Sequence, residues 1–328
     1  MIDFITTAAA VSNGMSVFKP LYWLFGKCME GLLIVFDYKY FLALIIFTVL
    51  TRLVLFPFNL KQQKTMAKTS RLQPKIAKIQ KKYANSTNPQ DRQRQQEEIQ
   101  ELYSREGHNP MNMGCGTTVF QMVFLMGIIG IIYYPIQYII GVDIASQAQN
   151  IADVLGIKSS YFQIELLQNF DTYRDVLATQ FGDIFTEDKL NAIAEYRTHM
   201  YLFGIDMTQI PSFKDWSNPI IIIPILSLVS SFVSTLLSTQ IQKKQNPAAA
   251  AQGNQMMIMM LMMPFFSFYI SFKVSAAVGF YWIISNLVAM VQQLVMAKFF
   301  PPKRNVARQM IESTIERRSR EESIKNVK

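Results

Sequence analysis

Arg52 is the residue whose type and position could do chemistry, because it stands alone in a long apolar stretch. It is the one charged residue between Lys39 and Lys61. An arginine near the middle of a membrane costs at least about 2.5–3.5 kcal/mol, and snorkelling toward the cytoplasm would reduce that cost. Intramembrane charges usually face a bundle interior or a water-filled cavity. We therefore expect Arg52 to face a hydrated cavity, with simple snorkelling as the alternative.

Polar side chains elsewhere in the apolar stretches could line the same cavity. Thr48 precedes Arg52 by one helical turn, and serines recur at helical spacing within 219–241. Taken singly, such groups usually serve close packing between membrane helices. Taken with Arg52, they predict a polar groove. Its predicted lining residues are Thr48, Arg52, Gln121, Ser231, Ser234, Ser238, Tyr281, Trp282 and Ser285, with Ser227 on the same stripe as the other serines and Asn286 beside Trp282.

Signals of enzymatic chemistry are poor. His108 and His199 fall on opposite predicted sides of the membrane, so they cannot act as a pair. The chain has no HExxH, Walker A or GxSxG motif and no cluster of Cys and His. We predict that the protein is not an enzyme and has no catalytic residue, no metal site and no cofactor.

The spacing of charges predicts the elements that position Arg52. Charged residues make up 17% of the chain, and half of all residues are hydrophobic. This composition excludes a disordered chain, a disulfide scaffold and an ordinary nucleic-acid-binding domain. Long stretches lack charge or contain Arg52 alone, and each reaches the roughly 20 residues that a helix needs to cross a bilayer. We predict an all-α, polytopic membrane protein with five transmembrane helices over 39–60, 116–138, 219–241, 256–272 and 277–299.

The charges of the connecting segments predict the orientation. Residues 61–114 have eleven basic and five acidic residues, and the tail 300–328 has eight and four. The positive-inside rule therefore places a helical hairpin (61–115), the loop 242–255 and the tail in the cytoplasm. The segment 139–218 has an acidic excess and is expected outside as a small cap without chemistry of its own. The N-terminal segment 1–38 is also expected outside, with an amphipathic helix lying in the membrane interface.

Two further patterns concern surfaces. Leu72, Ile76, Ile79 and Tyr83 form a thin apolar seam in the first hairpin arm, so we expect the hairpin to be mobile. The methionine-rich run 256–263 is either an adaptable surface for apolar client segments or plain lipid-facing filler, and the sequence favours neither.

Three motifs resemble one known family. The stretch "TVLTRLVLFPFNLKQQKTMAKTSRLQPKIAKIQKKY" resembles the first core span and hairpin arm of the YidC/Oxa/Alb membrane protein insertases. "NPMNMGCGTTVFQM" is similar to the entry into their second core span, and "GFYWIISNLVAMVQQ" to their last span. The resemblance covers the five-span core and is closest to the shorter, Gram-positive type. The acidic segment 141–217 looks longer than the family pattern.

The resemblance implies a function in the bacterial plasma membrane, with the N-terminus outside and the C-terminus inside. It implies a groove open to cytoplasm and lipid, in which Arg52 matches the family's arginine and Thr48 and Trp282 match positions on the substrate path. The clients would be nascent membrane proteins released into the lipid bilayer. The implied recruitment residues in the hairpin are Lys75, Lys78, Lys81 and Lys82. The tail residues Arg317, Arg318 and Arg320 would assist contact with the ribosome, and the Sec translocon is a further candidate partner.

A rival hypothesis is a carrier or channel for small anions, with Arg52 as the binding charge. Carriers often contain inverted repeats and broken helices, and the sequence shows no convincing repeat. An anion pore would also need basic residues along its length, whereas Arg52 is the one basic residue in the interior of the predicted spans.

Overall fold

The computed structural model describes residues 16–84, 88–105, 115–157, 161–245, 254–301, 311 and 315. After a short 3-10 turn come twelve α-helices and one pair of short strands within these residues. The first six helices are α1 (Lys19–Val35), α2 (Tyr40–Tyr83), α3 (Pro89–Arg105), α4 (Cys115–Tyr133), α5 (Pro135–Tyr138) and α6 (Ala148–Leu155). They are followed by α7 (Phe162–Gln168), α8 (Phe170–Gln180), α9 (Glu187–Thr198), β1 (Tyr201–Leu202), β2 (Ile205–Asp206), α10 (Ile222–Gln245), α11 (Asn254–Ser271) and α12 (Ala276–Phe299).

Three helical stretches are long and apolar enough to cross a membrane: Tyr40–Gln63, Pro219–Ile241 and Ala276–Phe299. Met122–Tyr133 and Met262–Ser271 are shorter apolar helices among the residues described. The prediction of an all-α, polytopic membrane protein is thereby confirmed. The five-span count and the cytoplasmic side of the hairpin stay predictions.

Two helix ends differ from the predicted segments. The first predicted span was to end at residue 60, but α2 continues without interruption to Tyr83. The second predicted span, 116–138, is instead split into α4 and α5. Pro135 explains the split, because it disfavours helical geometry in the preceding residue and donates no backbone hydrogen bond.

The chain divides into two compact units. The first contains residues 1–52, 121–232 and 263–288, and the second contains 53–120, 233–262 and 289–328. In the first unit, α1 packs tightly against α4. A Cβ atom on Gly130 would lie 2.1 Å from Tyr22 Cε1, so this approach requires glycine. The predicted interfacial segment is therefore a helix anchored on its neighbours, and its depth in the membrane stays a prediction.

The segment 141–217, here called the cap, has a well-packed interior in the first unit. It comprises α6 to α9 and the β1–β2 pair, whose residues align antiparallel as Tyr201 with Asp206 and Leu202 with Ile205. Phe170, Leu177 and Ile193 are fully buried. Burial also raises the pKa of the Tyr196 hydroxyl well above its ordinary value, because a phenolate would be poorly solvated there.

The cap is bonded directly to the connection between α11 and α12. The backbone N–H groups of Ala276 and Ala277 donate to the carbonyls of Gln209 and Met207, both at 2.9 Å. The Tyr161 hydroxyl donates to the Lys273 carbonyl at 3.2 Å. These bonds fix the end of one apolar helix and the start of the next to the cap.

The hairpin lies in the second unit and consists of residues 61–83 of α2 together with α3. Of its predicted seam, Leu72 and Ile76 are buried, whereas Ile79 and Tyr83 are half-buried. No residue of α3 is fully buried. Among the hairpin side chains that the structure describes, few apolar contacts therefore hold the arms together, and the predicted mobility stays a prediction.

Candidate functional site

Helix α2 presents Arg52 beside two buried threonines. Thr48 is 1% exposed, and its hydroxyl donates to the Leu44 carbonyl at 2.7 Å. The Thr51 hydroxyl donates to the Thr48 carbonyl at 2.9 Å. Such bonds to the preceding helical turn satisfy a threonine in an apolar helix without a partner from elsewhere. Both hydroxyls are therefore occupied within α2, and Arg52 is the group on this face that reaches another helix.

The guanidinium of Arg52 reaches Ser285 on α12. Its Nη2 atom donates to Ser285 Oγ at 2.5 Å and, more weakly, to the Ser285 carbonyl at 3.4 Å. Tyr281 lies one turn before Ser285 on the same face of α12 and is buried. We call Arg52, Thr48, Tyr281 and Ser285 the Arg52 cluster. The structure brings these four predicted residues into one region of the first unit.

The hydrogen-bond partner of Arg52 among the described residues is neutral. Of its nitrogens, only Nη2 donates to another described residue, and none of the ion pairs among the described residues includes Arg52. A hydroxyl can accept a hydrogen bond from a guanidinium, but it cannot neutralise its charge. Because the side chain is only half-buried, its positive charge can interact with water or with an anionic group from outside the chain.

A second polar contact joins α12 to α10. Asn286 Nδ2 donates to Ser230 Oγ at 3.2 Å, and Ser230 Oγ donates to the Ser227 carbonyl at 3.1 Å. Ser227 is fully buried, and its own hydroxyl has no hydrogen-bond partner among the described residues. Two adjacent residues of α12 thus bond to two different helices. Ser285 bonds to α2, and Asn286 bonds to α10. This double attachment fixes the rotation of α12 beside Arg52.

The other predicted groove residues whose side chains are described are half-buried. Ser231 and Trp282 are half-buried in the first unit. Ser234 and Ser238 are half-buried in the second unit. The side chain of Gln121 lies outside the described residues. That these residues line a groove stays a prediction.

The basic residues predicted to recruit clients have different surroundings. Lys75, Lys78, Lys81 and Lys82 are all exposed. Lys82 Nζ donates to Glu98 Oε1 of α3 at 2.5 Å, and the Tyr83 hydroxyl donates to the same oxygen at 3.0 Å. The hydrogen bond from Lys82 holds the pKa of the Glu98 carboxyl below its ordinary value.

Two other predicted surfaces fall largely outside the described residues. The side chains of 256–261 in the methionine-rich run are not among them, whereas Met262 and Met263 are exposed. The tail residues Arg317, Arg318 and Arg320 are also not described. Among the residues that are described, no group of His, Cys, Asp and Glu could hold a metal ion.

The sequence prediction missed Ser230 as a partner of Asn286. Starting from Ser227, the prediction took steps of four, three and four residues, which select Ser231, Ser234 and Ser238. Ser230 lies three residues from Ser227, and this spacing also keeps a residue on one helix face. The signal was therefore present, but a single sequence does not show which of two adjacent serines faces α12.

Comparison with known proteins gives a match to one family and several relatives that are named membrane protein insertase. A family model described as "60Kd inner membrane protein" matches residues 33–303. A protein named Membrane protein insertase YidC 1, from Listeria monocytogenes serotype 4b, is 25% identical over 82% of this chain and 68% of its own length. Membrane protein insertase YidC of Clostridium perfringens is 25% identical over 77% of this chain and 76% of its own. The same-named protein of Oceanobacillus iheyensis is 26% identical over 80% and 77%.

Proposed function

Because the chain belongs to the 60Kd inner membrane protein family, we propose that it is a membrane protein insertase. In this proposal it moves short polar segments of nascent membrane proteins part-way across the bilayer and releases their apolar helices into lipid. The observation that carries the proposal is the half-buried Arg52 guanidinium, whose hydrogen bonds go to the neutral Ser285. The name of these relatives, membrane protein insertase, supports the same function.

The first step is the entry of a polar client segment beside Arg52. A guanidinium that is hydrogen-bonded to a hydroxyl keeps most of its attraction for an incoming carboxylate. In an ion pair, the existing carboxylate partner would already have neutralised that charge. In partly dehydrated surroundings Coulomb attraction is stronger than in bulk water. Arg52 therefore lowers the free energy of an acidic segment at that depth without binding it in a permanent ion pair.

The second step is the release of the client's apolar helix. In the proposal this helix passes along α10 and α12, which expose Leu226, Val229, Leu287 and Val291. Moving an apolar helix from water into lipid is strongly favourable, and the membrane potential contributes about 2.3 kcal/mol per charge per 100 mV. These two sources supply the driving force, and the chain lowers the barrier formed by the polar segment.

The partners follow from the predicted orientation. With the hairpin and tail in the cytoplasm, the exposed lysines of the hairpin meet client segments as they emerge. The tail residues Arg317, Arg318 and Arg320 meet the ribosome, whose RNA is anionic. The Sec translocon is a further partner in this proposal.

Reconstitution in liposomes tests the function. The purified chain should insert a client with a single apolar helix and a short acidic N-terminal segment, as measured by protection of that segment from added protease. The Arg174→Ala variant is the matched control for substitutions of Arg52, because Arg174 is an arginine of the cap outside the proposed path. Arg174→Ala should insert as the unchanged chain does. Anion flux through the liposomes without client insertion would instead support a carrier or channel.

A further inference from the structure

The turn between β1 and β2 has an unusual residue at its tip. Phe203 is 96% exposed and has a backbone φ of +52°, and Gly204 follows with φ +79°. Two consecutive positive φ angles are typical of the tightest hairpin turn, which favours Asn-Gly or Asp-Gly. Here a bulky aromatic residue occupies the first position.

The phenylalanine is unfavourable in two respects in a water-exposed turn. A bulky side chain in the left-handed region is a conformational outlier that costs on the order of 1–3 kcal/mol. The exposed ring also orders water without burying any apolar surface. No contact within the described part of the chain offsets either cost, since the ring is almost wholly exposed. A strained and exposed residue of this kind indicates a contact made outside the chain.

The turn is close to the point where the chain enters the membrane. Strand β2 lies against the 3-10 turn Pro219–Ile221, which begins the apolar stretch Pro219–Ile241. The base of the strand pair is bonded to the start of α12, because Ala277 N–H donates to the Met207 carbonyl. The strand pair is therefore fixed at the same level as the ends of two apolar helices.

Two further exposed aromatic residues lie at this level. Phe213 packs edge-on against Phe272, just beyond the last residue of α11, with ring centroids 4.9 Å apart. The Trp216 indole N–H donates to the Phe213 carbonyl at 2.9 Å, three residues before Pro219. Both rings are more than half exposed. Tryptophan and other aromatic rings concentrate at membrane–water boundaries, where an apolar body meets lipid and a polar edge meets water.

We propose that Phe203, Phe213 and Trp216 form a lipid anchor, with which the cap rests in the outer leaflet of the membrane. The segment 141–217 has eleven acidic and five basic residues, so attraction to anionic headgroups does not hold it there. The anchor acts through apolar insertion at the boundary between headgroups and acyl chains. Through the bonds of Met207 and Gln209 it also keeps the α11–α12 connection at a constant depth. This inference depends on the membrane spans and is independent of the insertase function.

Fluorescence quenching in lipid nanodiscs tests the anchor. Phe203→Cys in a Cys28→Ser, Cys115→Ser background is labelled with an environment-sensitive dye, in phosphatidylcholine nanodiscs that leave both faces accessible. Asp188→Cys, an exposed charged position of α9 in the same cap, is the matched control. We expect acyl-chain nitroxide lipids to quench the dye at 203 at least about threefold more than at 188, and aqueous iodide to show the reverse order. Equal quenching at both positions by iodide, with no nitroxide effect at 203, would overturn the proposal.

Discussion

The cap and the hairpin are both helical segments that connect apolar helices, but different interactions hold them. The cap buries aromatic and aliphatic side chains such as Phe170 and Leu177 completely. The hairpin has no fully buried residue on α3, and its arms are joined by an exposed contact between Lys82 and Glu98. Apolar burial is worth far more than an exposed ion pair. The cap should therefore open only at high free energy, and the hairpin should open easily.

The largest expected effect is the loss of a buried ring in the cap. Phe170→Ala should destabilise the cap by about 3–5 kcal/mol, because it removes an aromatic side chain from a closed interior. Amide hydrogen exchange of α8 and α9 measures the local opening free energy. Val154→Ala, at an exposed position of α6, should leave that exchange nearly unchanged. Similar effects of the two substitutions would mean that the cap is not held by its apolar interior.

The next effect concerns removal of the second hairpin arm, which contains nearly all of α3. Replacing residues 84–104 by a short Gly-Ser linker should leave the thermal unfolding midpoint of the membrane helices within a few degrees of its original value, since α3 buries no side chain fully. Client insertion should fall, because a surface that receives clients is lost. A collapse of the helical circular dichroism signal would contradict this and make the hairpin a structural element.

The smallest effect is the pH dependence of the contact between the arms. The hydrogen bond from Lys82 lowers the pKa of Glu98 and raises that of Lys82. The contact therefore stabilises the hairpin above the ordinary Glu98 pKa of 4.5 and below the ordinary Lys82 pKa of 10.5. Its contribution is lost as pH falls through the lowered Glu98 pKa or rises through the raised Lys82 pKa.

The distance between spin labels at Lys78 and Leu102 reports this contact. The distance distribution should broaden when the pH is lowered from 7 to below the Glu98 pKa. A Glu98→Gln variant should show the broad distribution already at pH 7 and change little on acidification. A distribution that broadens equally in both proteins would assign the effect to other groups.

The sequence was sufficient for the fold class because apolar length and charge spacing directly reflect the membrane as a solvent. It was less informative about helix ends. The pattern "DKLNAIAEYRTHMYLF" indicates a helix, but α9 ends at Thr198. Met200 instead bonds to Met207 across the strand pair. This ending depends on partners that lie outside the local sequence.

The Arg52 cluster could be predicted only in part. An isolated arginine in an apolar stretch is a strong signal by itself, and helical spacing correctly associates Tyr281 with Ser285. The bond from Arg52 to Ser285 joins residues 233 positions apart. Such a contact depends on how helices pack, which one sequence does not determine. The hydroxyl of Thr48 bonds within α2, and the expectation that Thr48 lines a groove stays a prediction.

Substitutions of Arg52 separate the effect of its charge from the effect of its packing. Arg52→Lys should retain much of the insertion activity, because lysine keeps the charge and loses only the planar fork of donors. Arg52→Glu should be the most damaging substitution for acidic clients, because it replaces attraction by repulsion. The control is Arg174→Ala, at an arginine of the cap outside the proposed path, which should change insertion little.

The most direct measurement compares two clients that differ only in acidic residues on the translocated segment, inserted by Arg52→Ala in liposomes. The account predicts that insertion of the acidic client falls by about tenfold, equivalent to about 1.4 kcal/mol, while insertion of the neutral client falls much less. Equal losses for both clients would contradict an electrostatic role of Arg52 and leave it a structural or hydrating residue. Full activity with both clients would mean that the arginine only snorkels to the membrane surface.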